Sequence, residues 1–253
     1  MGSEEHHVDA LDGTVDTCEV SGFAAQADAW WDSKGSFRAL HQLNPARLSF
    51  IRCRLSEHFR RNPDLLSPFT GLNLLDIGCG AGLAAEPMSR LGFAVTGIDA
   101  EIGAIAAASE HSQTAGLAID YRVATAESIA NSRERFDVVL ALEVVEHVAD
   151  REAFLRSLAG LVAPRGAAIL ATLNRTARSF AGAIVGAELI LGWIPRGTHD
   201  WRRFVRPSEL ILGLRRNGLR ATEIAGLSYD LTSGKWVLSR DIDVNYLVLA
   251  TGQ

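Results

Sequence analysis

From Leu72 onward the chain alternates short apolar runs with segments of helical period. Strand-like segments bounded by turn residues cover 72–77, 93–98, 119–123, 136–141 and 166–172. Segments with helical spacing lie between them at 83–91, 101–115, 126–130 and 150–162. The runs read as strands and the intervening segments as helices. Such alternation predicts a parallel sheet with right-handed crossovers, whose functional residues lie at the carboxyl ends of the strands. A helix at 207–217 and strands near 219–228 and 243–251 complete the pattern.

Upstream, Phe23–Trp31 reads as a helix, and Ala46–Phe59 as a second one in which Leu48, Ile51, Leu55 and Phe59 recur at three- and four-residue steps. The segment Trp31–Arg47 is too aromatic and basic for a plain linker. Trp30, Trp31 and Phe37 either seal the N-terminal helices onto the core or form a lid over a substrate. Residues 1–21 are polar and acidic without periodicity and read as a disordered tail. The organisation expected is thus a tail over 1–21 and one domain over 22–253, with a helical cap at 22–62 and an insertion at 173–206.

Composition narrows the partners. With 253 residues, 47% of them hydrophobic, the chain can bury one sizeable core. A net charge of −5 argues against nucleic acid, because affinity there comes from Lys and Arg neutralising phosphates. Cys18, Cys53 and Cys79 lack C-x-x-C spacing, which fits a reducing compartment with neither a disulfide frame nor a zinc site. Met1–Glu19 has no apolar core and is not a secretory signal.

The first strand stops at Asp76, and Gly78, Gly80 and Gly82 follow at alternate positions before a helix that begins near Leu83. Glycine permits positive φ and close approach of a ligand, and a helix start offers unpaired N–H groups. A dinucleotide site calls for G-x-G-x-x-G. Here the pattern is D-x-G-x-G-x-G, which resembles motif I of the class I S-adenosylmethionine methyltransferases; the alternative is a Gly-rich turn of some other doubly wound domain. Asp99 ends the second strand about 20 residues beyond the glycines, where the ribose hydroxyls of an adenosine ligand need an acceptor. Its alternative role is the N-cap of helix 101–115. Ala126 and Glu127 stand where this class contacts adenine, although Glu127 also suits the first turn of a short helix.

The fourth strand opens into Leu142-Glu143-Val144-Val145-Glu146-His147. Three readings of Glu143, Glu146 and His147 are open: a divalent-cation site accepting a catechol, with two oxygen ligands and one nitrogen ligand; His147 alone as a general base; or a structural closure of the cofactor pocket. The insertion carries an apolar run from Phe180 to Pro195, and residues 174–209 hold six Arg against Glu188, Asp200 and Glu209. As a helix the run spans roughly 24 Å, short of a hydrocarbon core of ~30 Å, so it cannot cross a bilayer. It either lies in a membrane interface with its arginines on anionic headgroups or packs as a lid on the sheet.

Several blocks now resemble one family: Trp30-Trp31-Asp32, Leu40-His41-x-x-Asn44-Pro45-x-Arg47-Leu48, Asp76-x-Gly78-Cys79-Gly80-x-Gly82, Glu143-x-x-Glu146-His147, Thr172-Leu173-Asn174-Arg175, Val185-Gly186-Ala187-Glu188, Gly197-Thr198-His199-Asp200 and Asp243-Val244-Asn245-Tyr246. They are similar to the ubiquinone-biosynthesis O-methyltransferases from about Ala24 to Tyr246. The resemblance implies a Rossmann-like, seven-stranded α/β fold with N-terminal helices and a helical insertion after the fifth strand. It implies S-adenosylmethionine as cofactor, contacted by Arg47, Gly78, Asp99 and Leu142. It also implies methylation of a ring hydroxyl on a polyprenyl catechol-type phenol and on 3-demethylubiquinol. The eukaryotic branch implies Mg²⁺, with its ligands at Glu143, Glu146 and His147. A polyprenylated substrate in turn implies a cytoplasmic enzyme held peripherally on the inner membrane through 174–206, and membership of a biosynthetic complex. The family more often has Gly where Ala81 stands.

Overall fold

The computed structural model describes residues 14, 30–32, 35, 38–180 and 200–252. Its chain order is α1 (Arg38–His58), β1 (Asn73–Ile77), α2 (Ala85–Arg90), β2 (Ala94–Asp99), α3 (Ile102–Thr114), β3 (Ile119–Val123), α4 (Ala126–Asn131), β4 (Phe136–Leu142), α5 (Arg151–Leu161), β5 (Val162–Leu173), α6 (Pro207–Arg216), β6 (Leu219–Asp230), β7 (Lys235–Ser239) and β8 (Asn245–Gly252). The sheet runs β3-β2-β1-β4-β5-β8-β6-β7. β1 to β5 pair in parallel, and β8, β6 and β7 continue the sheet antiparallel. The strand order reverses at β1, which lies between β2 and β4, and open α/β sheets bind ligands at such a point.

Period-two alternation divides β1 between the two faces. Leu75 and Ile77 join a core with Phe154 and Leu158 of α5 and Leu210 and Leu214 of α6. Leu74 joins the opposite core with Phe50, Ile51 and Leu55 of α1 and Met88 of α2. Asp76 shares its parity with Leu74 and so lies on the α1 face of the sheet.

Three expectations need correction. The sheet has eight strands, not seven, because β7 pairs with β6 as a hairpin (Tyr229 opposite Trp236). Lys235, Val237 and Leu238 are exposed, and the run Trp236-Val237-Leu238 is too short to announce a strand by itself. The second N-terminal helix starts at Arg38, seven residues before Pro45, which stands inside it; proline forfeits a hydrogen bond but does not end this helix. β5 begins at Val162 because Arg165, in left-handed backbone (φ 65°), and a register shift opposite Phe136 and Val138 carry the strand through Gly166. The expected helix Phe23–Trp31, apart from its last two residues, and the run 181–199 lie outside the described residues. So does the tail over 1–21, except Thr14, which is buried.

Candidate cofactor and active site

The buried residues of α1 are Ala46, Arg47, Phe50, Ile51, Leu55 and Ser56, so one guanidinium takes a core position among mostly apolar neighbours. Residues around it fix its place. Asn44 Nδ2 donates to Leu83 O in the glycine loop (2.8 Å), and the His41 ring meets Trp30 O (2.8 Å). Trp31 stacks on His111 of α3, with ring centroids 3.5 Å apart and planes 6° apart. The Asn-Pro-x-Arg block thereby ties α1 to the loop, and Arg47 Nη2 forms an ion pair with Glu143 Oε2.

Gly78, Gly80 and Gly82 all have positive φ (66°, 53° and 90°), which L side chains rarely adopt. A Cβ on Gly78 would lie 2.5 Å from Val144 Cγ2, one on Gly80 would lie 2.7 Å from the Trp30 ring, and one on Gly82 would strike the Tyr121 hydroxyl. The loop is therefore close-packed by the protein's own side chains. α2 starts at Ala85, later than Leu83, with no side-chain cap at Ala84. Asp76 accepts from the Ala85 N–H instead, while its Oδ2 has no hydrogen-bond partner among the described residues. Burial, reinforced by nearby Asp99, pushes the Asp76 carboxyl up to about 7, and Arg47 moderates the rise. Burial raises the Cys79 thiol well above its ordinary value, so it is no nucleophile.

Asp99 does not cap α3. That role belongs to Glu101, whose carboxylate accepts from Gly103 N and Ala104 N. Asp99 Oδ2 accepts from Gly80 N (2.9 Å) and Oδ1 from Glu101 N (2.9 Å), which stitches the end of β2 to the glycine loop. Its pKa is raised by burial, and the backbone N–H groups of Glu101, Gly80 and Ala100 oppose the shift. Ala126 is buried at the start of α4, whose cap is Thr125. Glu127 Oε1 accepts from Thr14 Oγ1 (2.8 Å), and its buried Oε2 has no partner among the described residues. Thr14 O also accepts from Ala149 N (2.7 Å).

At the end of β4, Leu142 is half-buried and packs on the α1-side core. Glu143 follows in left-handed backbone (φ 53°), with its N–H donated to Ala171 O (2.9 Å). The turn then separates the expected ligand trio. Glu143 goes to Arg47. Glu146 is buried and accepts from the buried Thr172 Oγ1 (2.8 Å). Burial raises its pKa, opposed by His147 and assisted by Glu143. His147 N closes the turn on Val144 O (2.9 Å). Among the described residues no three of His, Cys, Asp and Glu come together to hold a metal ion. As placed, Glu143, Glu146 and His147 do not fit one.

Sequence reasoning holds Asn44, Val144 and Thr172 within its motif blocks but gives them no role of their own, and it passes over Thr14. Their partners lie 26 residues or more away for Thr172, Asn44 and Thr14, and no local pattern announces them. At the base of the insertion, Arg175 pairs with Glu209, and Arg178 pairs with Asp241 (3.0 Å) and Asp243 (2.7 Å). The basic excess counted over 174–209 is thus partly neutralised by acids from elsewhere. Among the described residues no helix is long and apolar enough to cross a membrane.

Among the described residues, the buried polar atoms without a hydrogen-bond partner include Arg47 Nε, Asp76 Oδ2 and Glu127 Oε2. They suit a ligand with a carboxylate and an ammonium at one end and a nucleobase at the other. With motif I at the switch point of this sheet, they define a class I S-adenosylmethionine-dependent methyltransferase. A methyltransferase domain family matches residues 75–170. A magnesium protoporphyrin IX methyltransferase from Synechocystis, solved with bound S-adenosylhomocysteine, superposes with a TM-score of 0.63 at 18% identity, covering 92% of this chain and 95% of that one. A possible histamine N-methyltransferase from Thermotoga maritima gives 0.61 at 15%, covering 93% and 99%. Ubiquinone biosynthesis O-methyltransferases from Parvibaculum lavamentivorans and Bradyrhizobium diazoefficiens are each 51% identical, the first over 95% of both chains and the second over 94% of both. The chain belongs to the ubiquinone biosynthesis O-methyltransferase family.

Proposed function

We propose that the chain methylates a ring hydroxyl of polyprenylated phenol and quinol intermediates of ubiquinone synthesis, 3-demethylubiquinol among them, at the end of β4. The observation that carries this reading is the convergence of Arg47, Asp76 and Glu143 where β1 and β4 end. When bound, S-adenosylmethionine supplies a sulfonium-activated methyl group to an attacking phenolate. Arg47 grips the cofactor's carboxylate, for which a planar guanidinium is suited. Asp76 offers its open Oδ2 to the ammonium. Asp99 receives the ribose hydroxyls on its remaining lone pairs, Ala126 and Glu127 border the adenine, and Leu142 packs beside the ligand.

A phenol with a pKa near 10 is only about 0.1% ionised at neutral pH, so a base must take the proton. His147 fills that role, with Glu143 in the same turn. Positioning supplies much of the remaining rate gain. A long isoprenoid tail keeps the acceptor in the bilayer, and the Arg-flanked insertion 174–206 brings the enzyme to that surface.

The test is turnover of a short-tailed 3-demethylubiquinol analogue by purified protein. Methylated quinol and S-adenosylhomocysteine should accumulate in equal amounts. Protein that binds S-adenosylmethionine yet makes neither, with or without Mg²⁺, would be a silent binding subunit, and the proposal would fall.

A further inference from the structure

Resting on the assignment of Arg47 to the cofactor's carboxylate, we propose that the Glu143 carboxylate holds that carboxylate's place on Arg47, and that cofactor binding exchanges one for the other and releases Glu143 to the acceptor. In this role Glu143 is a positioning residue for Arg47 before it is anything else.

Four observations carry the exchange. The pair is asymmetric: the Arg47 side chain is 6% exposed and that of Glu143 26%. A buried guanidinium cannot lose its counter-charge cheaply, whereas Glu143 can turn into water, so the pair holds until another anion arrives. The exchange also conserves charge, since one carboxylate leaves Arg47 as another reaches it. The backbone beneath Glu143 stays fixed by its hydrogen bond to Ala171 O and its left-handed φ, so only side-chain torsions need change. Finally, Glu143 begins the turn that the His147 N–H closes on Val144 O, so the two residues share one short segment. Acceptor that arrives before cofactor meets a Glu143 already engaged, which makes cofactor-first binding the productive order.

Calorimetric titration with S-adenosylhomocysteine and with 5′-methylthioadenosine, which keeps the adenosine but lacks the amino-acid end, separates this from a general effect on the pocket. Glu143→Gln should tighten S-adenosylhomocysteine binding by about fivefold, the upper end of the scale for a partly exposed ion pair, and leave methylthioadenosine within about twofold. Equal shifts for both ligands, or no tightening of the first, overturn the exchange. Arg47→Met tests the assignment beneath it. If it leaves S-adenosylhomocysteine affinity unchanged, that assignment fails. If it weakens binding while Glu143→Gln tightens nothing, only the exchange fails. Should Glu143→Gln not fold, Glu143→Asp, which keeps the charge on a shorter arm, must show the same ligand selectivity in smaller measure, and an equal effect on both ligands again refutes the proposal.

Discussion

Replacing Asp76 by Asn should make the cofactor-free enzyme more stable in alkaline than in acidic buffer relative to wild type. The Asp76 carboxyl titrates at about 7 in the fold against an ordinary 3.8. A carboxyl with a raised folded pKa holds its proton in the native state after the unfolded chain has lost it. Between those two values stability therefore falls as pH rises, and the full cost is reached above about 7. Three pH units at 1.36 kcal/mol each come to about 4 kcal/mol, of which roughly half accrues between about pH 5.5 and about pH 8. Asn still offers an oxygen to the Ala85 N–H, but its NH₂ replaces an atom without a partner, a cost of about 1–3 kcal/mol that does not vary with pH. The gap between variant and wild type should thus widen in favour of Asp76→Asn by about 2 kcal/mol across that range. For a chain of this size that is about 4–8 °C in Tm. Urea denaturation and thermal melts at the two pH values read it directly, and the contribution of Glu146, which is not among the causes of the Asp76 shift, cancels in the difference. Parallel curves for the two proteins would refute the argument. The same variant should bind S-adenosylmethionine more weakly, since it no longer opposes the ammonium with charge.

Gly78→Ala should destabilise by about 1–3 kcal/mol through its left-handed backbone and the Val144 methyl, and Val144→Ala should restore only the steric part in a double-mutant cycle on thermal melts. His147→Ala should lower kcat at least tenfold with S-adenosylmethionine affinity within about twofold; an equal loss of affinity would place His147 in the cofactor pocket instead. In liposome flotation at physiological salt, anionic vesicles should carry the wild-type protein upward. A variant with Arg196 and Arg202 changed to Ser should float less; protein that stays at the bottom with every lipid argues that the insertion is a lid alone.

The strand–helix alternation is legible because β1, β2, β4 and β5 are covered on both sides, so burial leaves apolar runs that local reading detects; the edge strand β3 shows itself by alternation alone. Local pattern starts α1 too late because Pro45 looks like a boundary, whereas Asn44 and His41 hold the preceding turns in place through partners at Leu83 and Trp30. Arg47 came only from family resemblance. Its physical signal, a guanidinium in phase with Phe50, Ile51 and Leu55, is visible in the sequence but does not say what it faces. Glu143, Glu146 and His147 looked like one ligand set because they are near in sequence. The turn after β4 sends the first to α1 and the second to Thr172 on β5, and proximity along a chain says nothing about divergence in a turn. The three glycines were read as room for a ligand, but Val144, Trp30 and Tyr121 fill the space their missing Cβ atoms leave.

The antiparallel half of the sheet constrains how the enzyme is made. β8 is the last of the eight strands in chain order, yet it lies between β5 and β6 and carries the buried Tyr246, Leu247 and Val248. During synthesis β1 to β5 can form their parallel half while β5 still shows one unpaired edge, and that edge is closed only when residues 245–252 arrive. Until then both β5 and the β6–β7 hairpin are templates for pairing with another chain. Loss of β8 should therefore drive the protein to aggregate, even though every residue of the proposed cofactor site would already have been synthesised.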